Sequence, residues 1–304
     1  FAGAARVVDL ATGAVTSLFG HNGLVRGAVF TSDGRAMVTW SDDGTARAWR
    51  ADGTALAVFT GHRGAVSRVE PVDGKRFVSA GDDGRVLLWS IEDTGARELF
   101  KAPAPLTFLY ALSATGRFVV GDALGTVSVV TLDGHVRTIR GADDAITALR
   151  PSRDGARLAA GSEQGTVTVY ETAGWTVVAT LRTAAAIRRL QFDRLAHTVV
   201  VTSGDGYVHV LSLAGAGRFG WEDLPLHAHY PVLSPDDSMF AVPVDDTGGM
   251  WLFEINEHRW TYIQDHETQV GVGIFSPDSR WLASFDGRGT VTVRDLAATR
   301  ASRR

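Results

Sequence analysis

The chain repeats one pattern seven times, and this repetition constrains its fold more than any other feature. The clearest copies are residues 25–49 and 66–89. Each has an alternating apolar run, an Asp-Gly turn, a second short run, another Asp-Gly turn and a third run that ends in tryptophan. The first-turn position of the seven copies falls at Asp33, Asp73, Thr115, Asp154, Leu195, Asp236 and Asp278.

The spacing between these seven positions identifies the type of repeat. Successive copies lie 39 to 42 residues apart, from the differences of their residue numbers. A period of about 40–45 residues with four strands per unit is typical of a β-propeller blade. Asp-Gly pairs supply the positive φ of tight hairpins, and apolar residues alternate along the runs, as in Val167 and Val169. The sequence therefore predicts an all-β chain, almost without helix.

Strand counting predicts a single seven-bladed propeller over residues 1–304, with antiparallel strands a, b, c and d in each blade. The last blade needs strands from both chain ends, because an incomplete blade leaves an open sheet edge. Residues 6–10 and 291–296 compete for its third strand, and we favour the C-terminal segment. The predicted blades are 24–60, 65–101, 106–140, 145–182, 186–221, 228–264, and 269–296 together with 15–20.

Two Gly-His pairs, Gly20-His21 and Gly61-His62, precede the tryptophans that end the two clearest copies. On these residues the chain resembles the WD-repeat family, strongly in the first two complete repeats and weakly in the others. The resemblance implies a buried tetrad of His, Ser or Thr, Asp and Trp in each intact blade, and a complete network of this kind makes a blade rigid. The matching residues are His21, Thr39, Asp43 and Trp49, then His62, Ser79, Asp83 and Trp89.

Composition and motifs restrict the chemistry. The chain has no cysteine, which excludes disulfides and thiolate catalysis. Its formal net charge of −4 argues against a nucleic-acid partner. The sequence has no apolar stretch long enough to span a membrane. Its Asp-Asp pairs lie at turn positions, and His266 lies at a tetrad position. We expect no catalytic residue, no cofactor and no bound metal.

A protein-binding face is the remaining candidate site. Propellers of this family commonly bind partners around the mouth of the central channel, which loops and the first residues of strand a form. Arg, Tyr and Trp are the residue types enriched at binding hot spots. The positions in this sequence that match that face are Arg26, Trp40, Arg63, Arg68, Phe108, Tyr110, Arg188, Arg189, His229 and Tyr230.

These features predict a non-catalytic scaffold or sensor that binds proteins or peptides as a monomeric ring in the cytoplasm. The resemblance extends to propellers appended to bacterial signalling proteins, and a start at Phe1 inside a repeat suggests a fragment of a longer protein. A propeller enzyme of the hydrolase or lactonase type, with a site at the channel mouth, is the alternative. It needs convergent acidic or histidine ligands, whereas strand a carries Arg26, Arg68 and Arg188. A larger propeller array is a third possibility.

Overall fold

The computed structural model describes residues 4–9, 12, 14–31, 33–93, 95–112, 116–213, 218–220, 232–236, 238–244, 248–255, 257, 259–288 and 290–297. Twenty-nine strands form within these residues, and every strand pair with an assigned register is antiparallel. The all-β prediction is therefore confirmed. The chain divides into two compact units, Phe1–Ile146 and Thr147–Arg304.

The first unit contains one two-stranded sheet and three four-stranded sheets, each following the order of the sequence. The two-stranded sheet joins β1 (Ala4–Val8) and β2 (Val15–Phe19). The four-stranded sheets are β3 (Val25–Phe30), β4 (Ala36–Ser41), β5 (Ala46–Arg50) and β6 (Ala55–Phe59); β7 (Val66–Pro71), β8 (Arg76–Gly81), β9 (Arg85–Ser90) and β10 (Arg97–Lys101); and β11 (Leu106–Ala111), β12 (Arg117–Asp122), β13 (Thr126–Thr131) and β14 (Val136–Arg140).

The second unit contains three four-stranded sheets and one three-stranded sheet. Its first strand begins at the last residue of the first unit. The sheets are β15 (Ile146–Pro151), β16 (Arg157–Ser162), β17 (Thr166–Glu171) and β18 (Thr176–Arg182); β19 (Ile187–Phe192), β20 (Thr198–Ser203), β21 (Val208–Ser212) and β22 (Arg218–Gly220); β23 (Val232–Leu233), β24 (Met239–Pro243), β25 (Gly249–Glu254) and β26 (Arg259–Gln264); and β27 (Val270–Phe275), β28 (Trp281–Asp286) and β29 (Val291–Asp295).

Tight turns connect the second and third strands of the sheets. Gly44 and Gly84 adopt φ of +79° and +75°, a region that glycine enters without the steric penalty of a Cβ. Each is preceded by an aspartate, as the hairpin signal in the sequence predicts. These turns hold β4 against β5 and β8 against β9, and they place the polar residues at the strand ends at fixed positions.

Apolar side chains between successive sheets form the core of the first unit. Val38, Phe59 and Phe77 lie in one buried cluster with Val66 and Leu87, so the first four-stranded sheet packs face to face on the second. Alternation along each strand supplies both faces of a sheet with apolar residues. Burial of this kind contributes about 25 cal/mol per Å² of apolar surface and dominates the stability of such a stack.

The first strand of several sheets contains a β-bulge one residue after its start. The register shifts between Val25 and Gly27 in β3, and equivalent shifts occur in β7, β11, β19 and β27. A bulge adds one residue and redirects its side chain. Arg26 and Arg188 occupy the bulged position in β3 and β19, and both are exposed.

The chain ends form two separate incomplete sheets. β1 pairs with β2 over five residues, and β29 pairs with β28. Residues 291–295 thus pair with β28 of their own hairpin, while Arg6, Val7 and Val8 pair with β2, and which segment fills the third strand of the closing blade stays a prediction. The count of seven blades and the closure of the last blade by residues 15–20 stay predictions.

Candidate interaction face and its supporting networks

The first complete sheet contains a continuous buried chain of side-chain hydrogen bonds. His21 Nδ1 lies 3.0 Å from Asp43 Oδ2, and His21 Nε2 lies 2.8 Å from Thr39 Oγ1. Trp49 Nε1 donates to the same Thr39 oxygen at 2.9 Å. With Nδ1 protonated, His21 donates to the carboxylate and accepts from the hydroxyl. All four predicted members are therefore linked, and the loop before β3 is tied to β4 and β5.

The carboxylate of Asp43 is held ionised by its donors. Burial alone would raise its pKa, but hydrogen bonds from Thr45 and from the Asn22 amide outweigh that effect. The pKa of Asp43 therefore lies well below its ordinary value. The Asn22 amide is 2.8 Å from Asp43 Oδ2, and the Thr45 hydroxyl is 2.7 Å from Oδ1. An ionised acceptor strengthens its hydrogen bonds to the histidine and to the loop.

The second complete sheet has three linked members rather than four. His62 Nδ1 lies 2.9 Å from Asp83 Oδ1, and His62 Nε2 lies 2.8 Å from Ser79 Oγ. Within the described residues, the indole N–H of Trp89 has no hydrogen-bond partner. Its ring instead stacks on Phe59 at 4.5 Å and on Phe77 at 4.9 Å. The expected bond between indole and hydroxyl is thus absent here, and aromatic packing holds the tryptophan.

A related network lies in the three-stranded sheet of the second unit. His266 Nε2 is 2.8 Å from Ser284 Oγ, and Ser284 has the same position in its strand as Thr39 and Ser79. Asp286 lies two residues before the position of the tetrad aspartate, and its Oδ2 is 3.6 Å from His266 Nδ1. The sequence placed His266 in a structural role but did not assign these two partners to it.

Arginine replaces tryptophan in that third network. Arg294 has the position of Trp49 and Trp89, and its Nε donates to Asp265 Oδ2 at 2.8 Å. A second guanidinium nitrogen binds the other carboxylate oxygen, so the pair is bidentate. The hydrogen bond to Asp265 raises the pKa of Arg294. An ion pair thus ties β29 to the segment before β27. In the first complete sheet, the tryptophan at the same position binds Thr39 of the second strand instead.

Arg68 is the centre of the aromatic part of the candidate face. Its guanidinium lies 4.7 Å from the ring centroid of Tyr110 and 5.9 Å from that of Trp40. Its Nε also donates to Glu70 at 3.3 Å. Cation–π contacts and a neighbouring carboxylate restrain the long side chain without burying its charge. Strands β4, β7 and β11 therefore present one connected cluster.

Trp40 supports this cluster from inside and is not a surface residue. Only 4% of Trp40 is exposed, and it belongs to the buried cluster between the first two complete sheets. Its ring lies over Gly27, where a Cβ would be 2.3 Å from the Trp40 ring. The prediction that Trp40 lies on a partner-binding surface is therefore wrong: the glycine opposite lets the indole fold back onto the sheet.

The other candidates of the first unit differ in exposure. Arg26 and Arg63 are exposed, whereas Phe108 and Tyr110 are half-buried. Arg26 Nε is 2.5 Å from Asp42 Oδ1, and this hydrogen bond, with the charge of Asp42, raises the pKa of Arg26. Aspartates beside the arginines were not predicted as part of the face. The face therefore carries both signs of charge.

In the second unit, Arg188 and Arg189 are exposed on β19. Gly204 lies under the Arg188 guanidinium, since a Cβ there would be 3.2 Å from Arg188 Nε. His229 and Tyr230 lie outside the described residues. Among the described residues, no group of three or more His, Asp or Glu side chains is arranged to hold a metal ion. In the same part of the chain, no helix has the length and hydropathy to cross a membrane.

Comparison with known families identifies the repeat. The family model described as "WD domain, G-beta repeat" matches residues 13–50, 53–90 and 126–171. These three segments of the chain are similar to WD repeats. The first two matched segments contain the His21 and His62 networks. The match at 126–171 includes the strands β13 to β17, in which Val130 and Tyr170 stand at the tryptophan position.

Curated relatives are WD-repeat proteins. A guanine nucleotide-binding protein subunit beta-1 of Nicotiana tabacum is 31% identical over 179 residues, covering 51% of this chain and 47% of that protein. The methylosome protein WDR77 of Xenopus laevis is 25% identical over 236 residues, covering 74% and 66%. The chain spans about half the length of the tobacco relatives that it matches.

Solved structures show the same architecture. The crystal structure of the computationally designed Ika8 protein superposes with a TM-score of 0.78 at 22% identity, covering 96% of this chain and 90% of that one. The β-propeller domain of Myceliophthora thermophila Cps50 (Swd1) gives a TM-score of 0.60 at 14% identity, covering 88% and 95%. At these identities the likeness shows the propeller fold alone.

Proposed function

We propose that this chain is a non-catalytic scaffold whose first unit docks other proteins through the cluster around Arg68. WD-repeat proteins generally act as protein-interaction scaffolds. The observation that carries the proposal is the Arg68 guanidinium held between Tyr110, Trp40 and Glu70. Restraining these side chains before binding lowers the entropy lost when a partner docks. A partner surface with polar groups of both charge signs fits a face that pairs arginines with carboxylates.

The supporting sheets suit this role. Two buried histidine networks fix the loops that precede β3 and β7, and these loops border the exposed Arg26 and Arg63. The Arg63 amide itself donates to Asp83 Oδ2 at 2.9 Å. A rigid scaffold with exposed loops is a common arrangement for binding sites. The finer proposals are a cytoplasmic location, with which the absence of cysteine is compatible, and a place in a larger bacterial signalling protein, which rests on the family resemblance.

Crosslinking at the native level of expression tests the proposal. Wild type is compared with the triple variant Arg63→Glu, Arg68→Ala, Tyr110→Ala, and the matched control is Arg35→Glu, whose side chain is 88% exposed on a turn. We expect specific partners to be crosslinked by wild type and control and lost from the triple variant. Circular dichroism checks that the triple variant is folded. No specific partner, or an unchanged set of partners, overturns the proposal.

A further inference from the structure

The bulged position near the start of the first strand is occupied by different residue types in different sheets. Ser67 in β7 and Thr107 in β11 donate their hydroxyls to backbone carbonyls of the second strand, at 3.0 and 3.2 Å. Arg26 in β3 instead donates its Nε to Asp42 Oδ1, on the residue that follows β4. In these three sheets, the bulged side chain therefore has a polar partner within its own sheet or hairpin.

Arg188 has the bulged position in β19, and there Gly204 stands where the first complete sheet has Asp42. The Asp42 amide donates to the carbonyl of Leu24, which directly precedes β3, at 3.0 Å. In the same way, the Gly204 amide donates to the carbonyl of Ala186, which directly precedes β19, at 2.7 Å. The backbone arrangement is thus the same in the two sheets, whereas the carboxylate is present in only one of them.

The Arg188 side chain lies over the place of the missing carboxylate. A Cβ on Gly204 would be 3.2 Å from Arg188 Nε and 3.5 Å from a terminal nitrogen of the same guanidinium. In the first complete sheet, the Nε of Arg26 is 2.5 Å from Asp42 Oδ1. Each arginine therefore reaches the residue that follows the second strand of its own sheet, and only Arg26 meets a carboxylate there.

Arg188 is exposed, and no hydrogen bond or ion pair among the described residues holds its side chain. Arg189, the next residue, is exposed as well. A guanidinium is charged at every physiological pH and presents its N–H donors in a planar fork that matches a carboxylate. An incoming carboxylate can therefore form charge-assisted hydrogen bonds to Arg188 without displacing an acidic side chain of the described residues.

The carboxylate next to Gly204 in the sequence is used within its own turn. Asp205 Oδ1 accepts hydrogen bonds from the Ser203 hydroxyl and from the Tyr207 amide. An aspartate that binds the backbone two residues further along is an ordinary feature of a tight turn. The hairpin between β20 and β21 therefore fixes its own turn with Asp205 and supplies no acidic partner to Arg188.

We propose that Arg188 is a docking site for an aspartate or glutamate of a partner protein, whose carboxylate takes the position that Asp42 takes beside Arg26. The start of β19 carries two exposed arginines, and an acidic segment is the complement of that charge. The glycine at 204 leaves room for the incoming group. This site lies in the second unit and does not include the Arg68 cluster, so either proposal can fail alone.

Side-chain NMR of the full chain, labelled at its arginines, is the first test. The probe is the peptide Gly-Ser-Glu-Ser-Gly with blocked ends, and its control peptide has glutamine in place of glutamate. We expect the Nε–H signal of Arg188, assigned by its loss in Arg188→Gln, to shift saturably with the glutamate peptide alone. No shift, or equal shifts with both peptides, overturns the proposal. A response only to a phosphoserine version of the peptide assigns the site to a phosphorylated segment and overturns it too.

A second test supplies the missing carboxylate from within the chain. Gly204→Asp fits the site, because the φ of Gly204 is not positive and the nearest atom to an added Cβ is the flexible end of Arg188. We expect the signal of Arg188 without peptide to move towards its peptide-bound position. The glutamate peptide should then bind about tenfold or more weakly, since a competitor in the same molecule acts at a high local concentration. The matched variant Gly204→Asn has the same shape without the charge and should keep the wild-type affinity. Equal affinities of the aspartate and asparagine variants contradict the proposal.

The first complete sheet offers the reciprocal variant. Asp42→Gly removes the carboxylate from Arg26 and gives this sheet the arrangement of β19 and Gly204. We expect the Nε–H signal of Arg26 to respond to the glutamate peptide in Asp42→Gly and not in wild type. Asp42→Glu keeps a carboxylate at the strand end and should leave Arg26 unresponsive. If Arg26 responded in wild type as strongly as Arg188, or stayed unresponsive in Asp42→Gly, then the missing carboxylate would not be what opens the arginine, and the proposal would fail.

Discussion

The first complete sheet and the last sheet contain similar histidine networks, but their apolar faces differ in exposure. In β3–β6, His21 is linked through Thr39 to Trp49, and in β27–β29, His266 is bonded to Ser284 while Arg294 pairs with Asp265. The apolar face of the first sheet is buried, whereas that of the last sheet is exposed. The polar network on one side of a blade therefore forms without cover on the other side.

This difference separates two sources of rigidity. The histidine networks act within one sheet, by tying the loop before the first strand to the second and third strands. Apolar packing acts between sheets and depends on what lies next to each face. A sheet can thus keep its internal order whatever lies against its apolar face.

The largest expected effect comes from truncating equivalent residues of the two sheets. Trp40 and Phe285 have the same position in β4 and β28, but 4% of Trp40 and 42% of Phe285 are exposed. We expect Trp40→Ala to lower the free energy of unfolding by about 3–5 kcal/mol through a cavity in the core. Phe285→Ala should lower it by about 1 kcal/mol or less, because less apolar burial is lost.

Urea unfolding of the full chain, followed by circular dichroism, measures both variants. Hydrogen exchange in β4 and β28 shows whether the loss is local. Equal losses for the two variants would mean that Phe285 is buried in solution, and the contrast between the two sheets would then fail.

The order of the strands and the positions of the tetrad residues could be predicted from the sequence, because they depend on repeat spacing and turn chemistry. The contacts of individual side chains could not be predicted in this way. Trp89 matches Trp49 in sequence, yet its indole N–H has no hydrogen-bond partner among the described residues, and Phe59 and Phe77 stack on its ring. The burial of Trp40 depends on Gly27 in another strand, and no local pattern specifies that approach.

A second prediction sharpens the contrast between the two complete networks. Thr39→Val removes the hydroxyl that binds both His21 and Trp49, so it leaves two buried polar groups unpaired. We expect a loss of about 2–4 kcal/mol in the free energy of unfolding. Ser79→Ala leaves only His62 Nε2 without its partner, and about 1–2 kcal/mol is expected.

The matched control for these variants is Thr54→Val on an exposed turn, where the hydrogen bonds of Thr54 to Asp52 are open to solvent and little change is expected. Urea midpoints of the three variants decide the order. If Ser79→Ala destabilised the chain as much as Thr39→Val, then Trp49 would gain nothing from its hydroxyl partner, and the two networks would be equivalent.

The smallest effect concerns acid. Burial lowers the pKa of His62 below 6.5, against the opposing influence of Asp83, so the folded chain holds this histidine neutral. The unfolded chain binds the proton more readily, and the contribution of His62 to stability is therefore complete above pH 6.5 and declines as the pH falls below it. The pKa of Asp83 is also lowered, but its contribution is lost only in stronger acid, below its ordinary value of 3.8.

Urea midpoints between pH 7.5 and 5 isolate this contribution. We expect the midpoint of wild type to fall with decreasing pH, and His62→Asn to show a shallower slope because it removes the titrating group. The control is His135→Asn, whose side chain is 87% exposed, and it should keep the wild-type slope. A slope for His62→Asn as steep as that of wild type would place the acid sensitivity elsewhere. In that case the neutral state of His62 would not distinguish the second complete sheet from the others. The stability of that sheet would then rest on the stacking of Trp89.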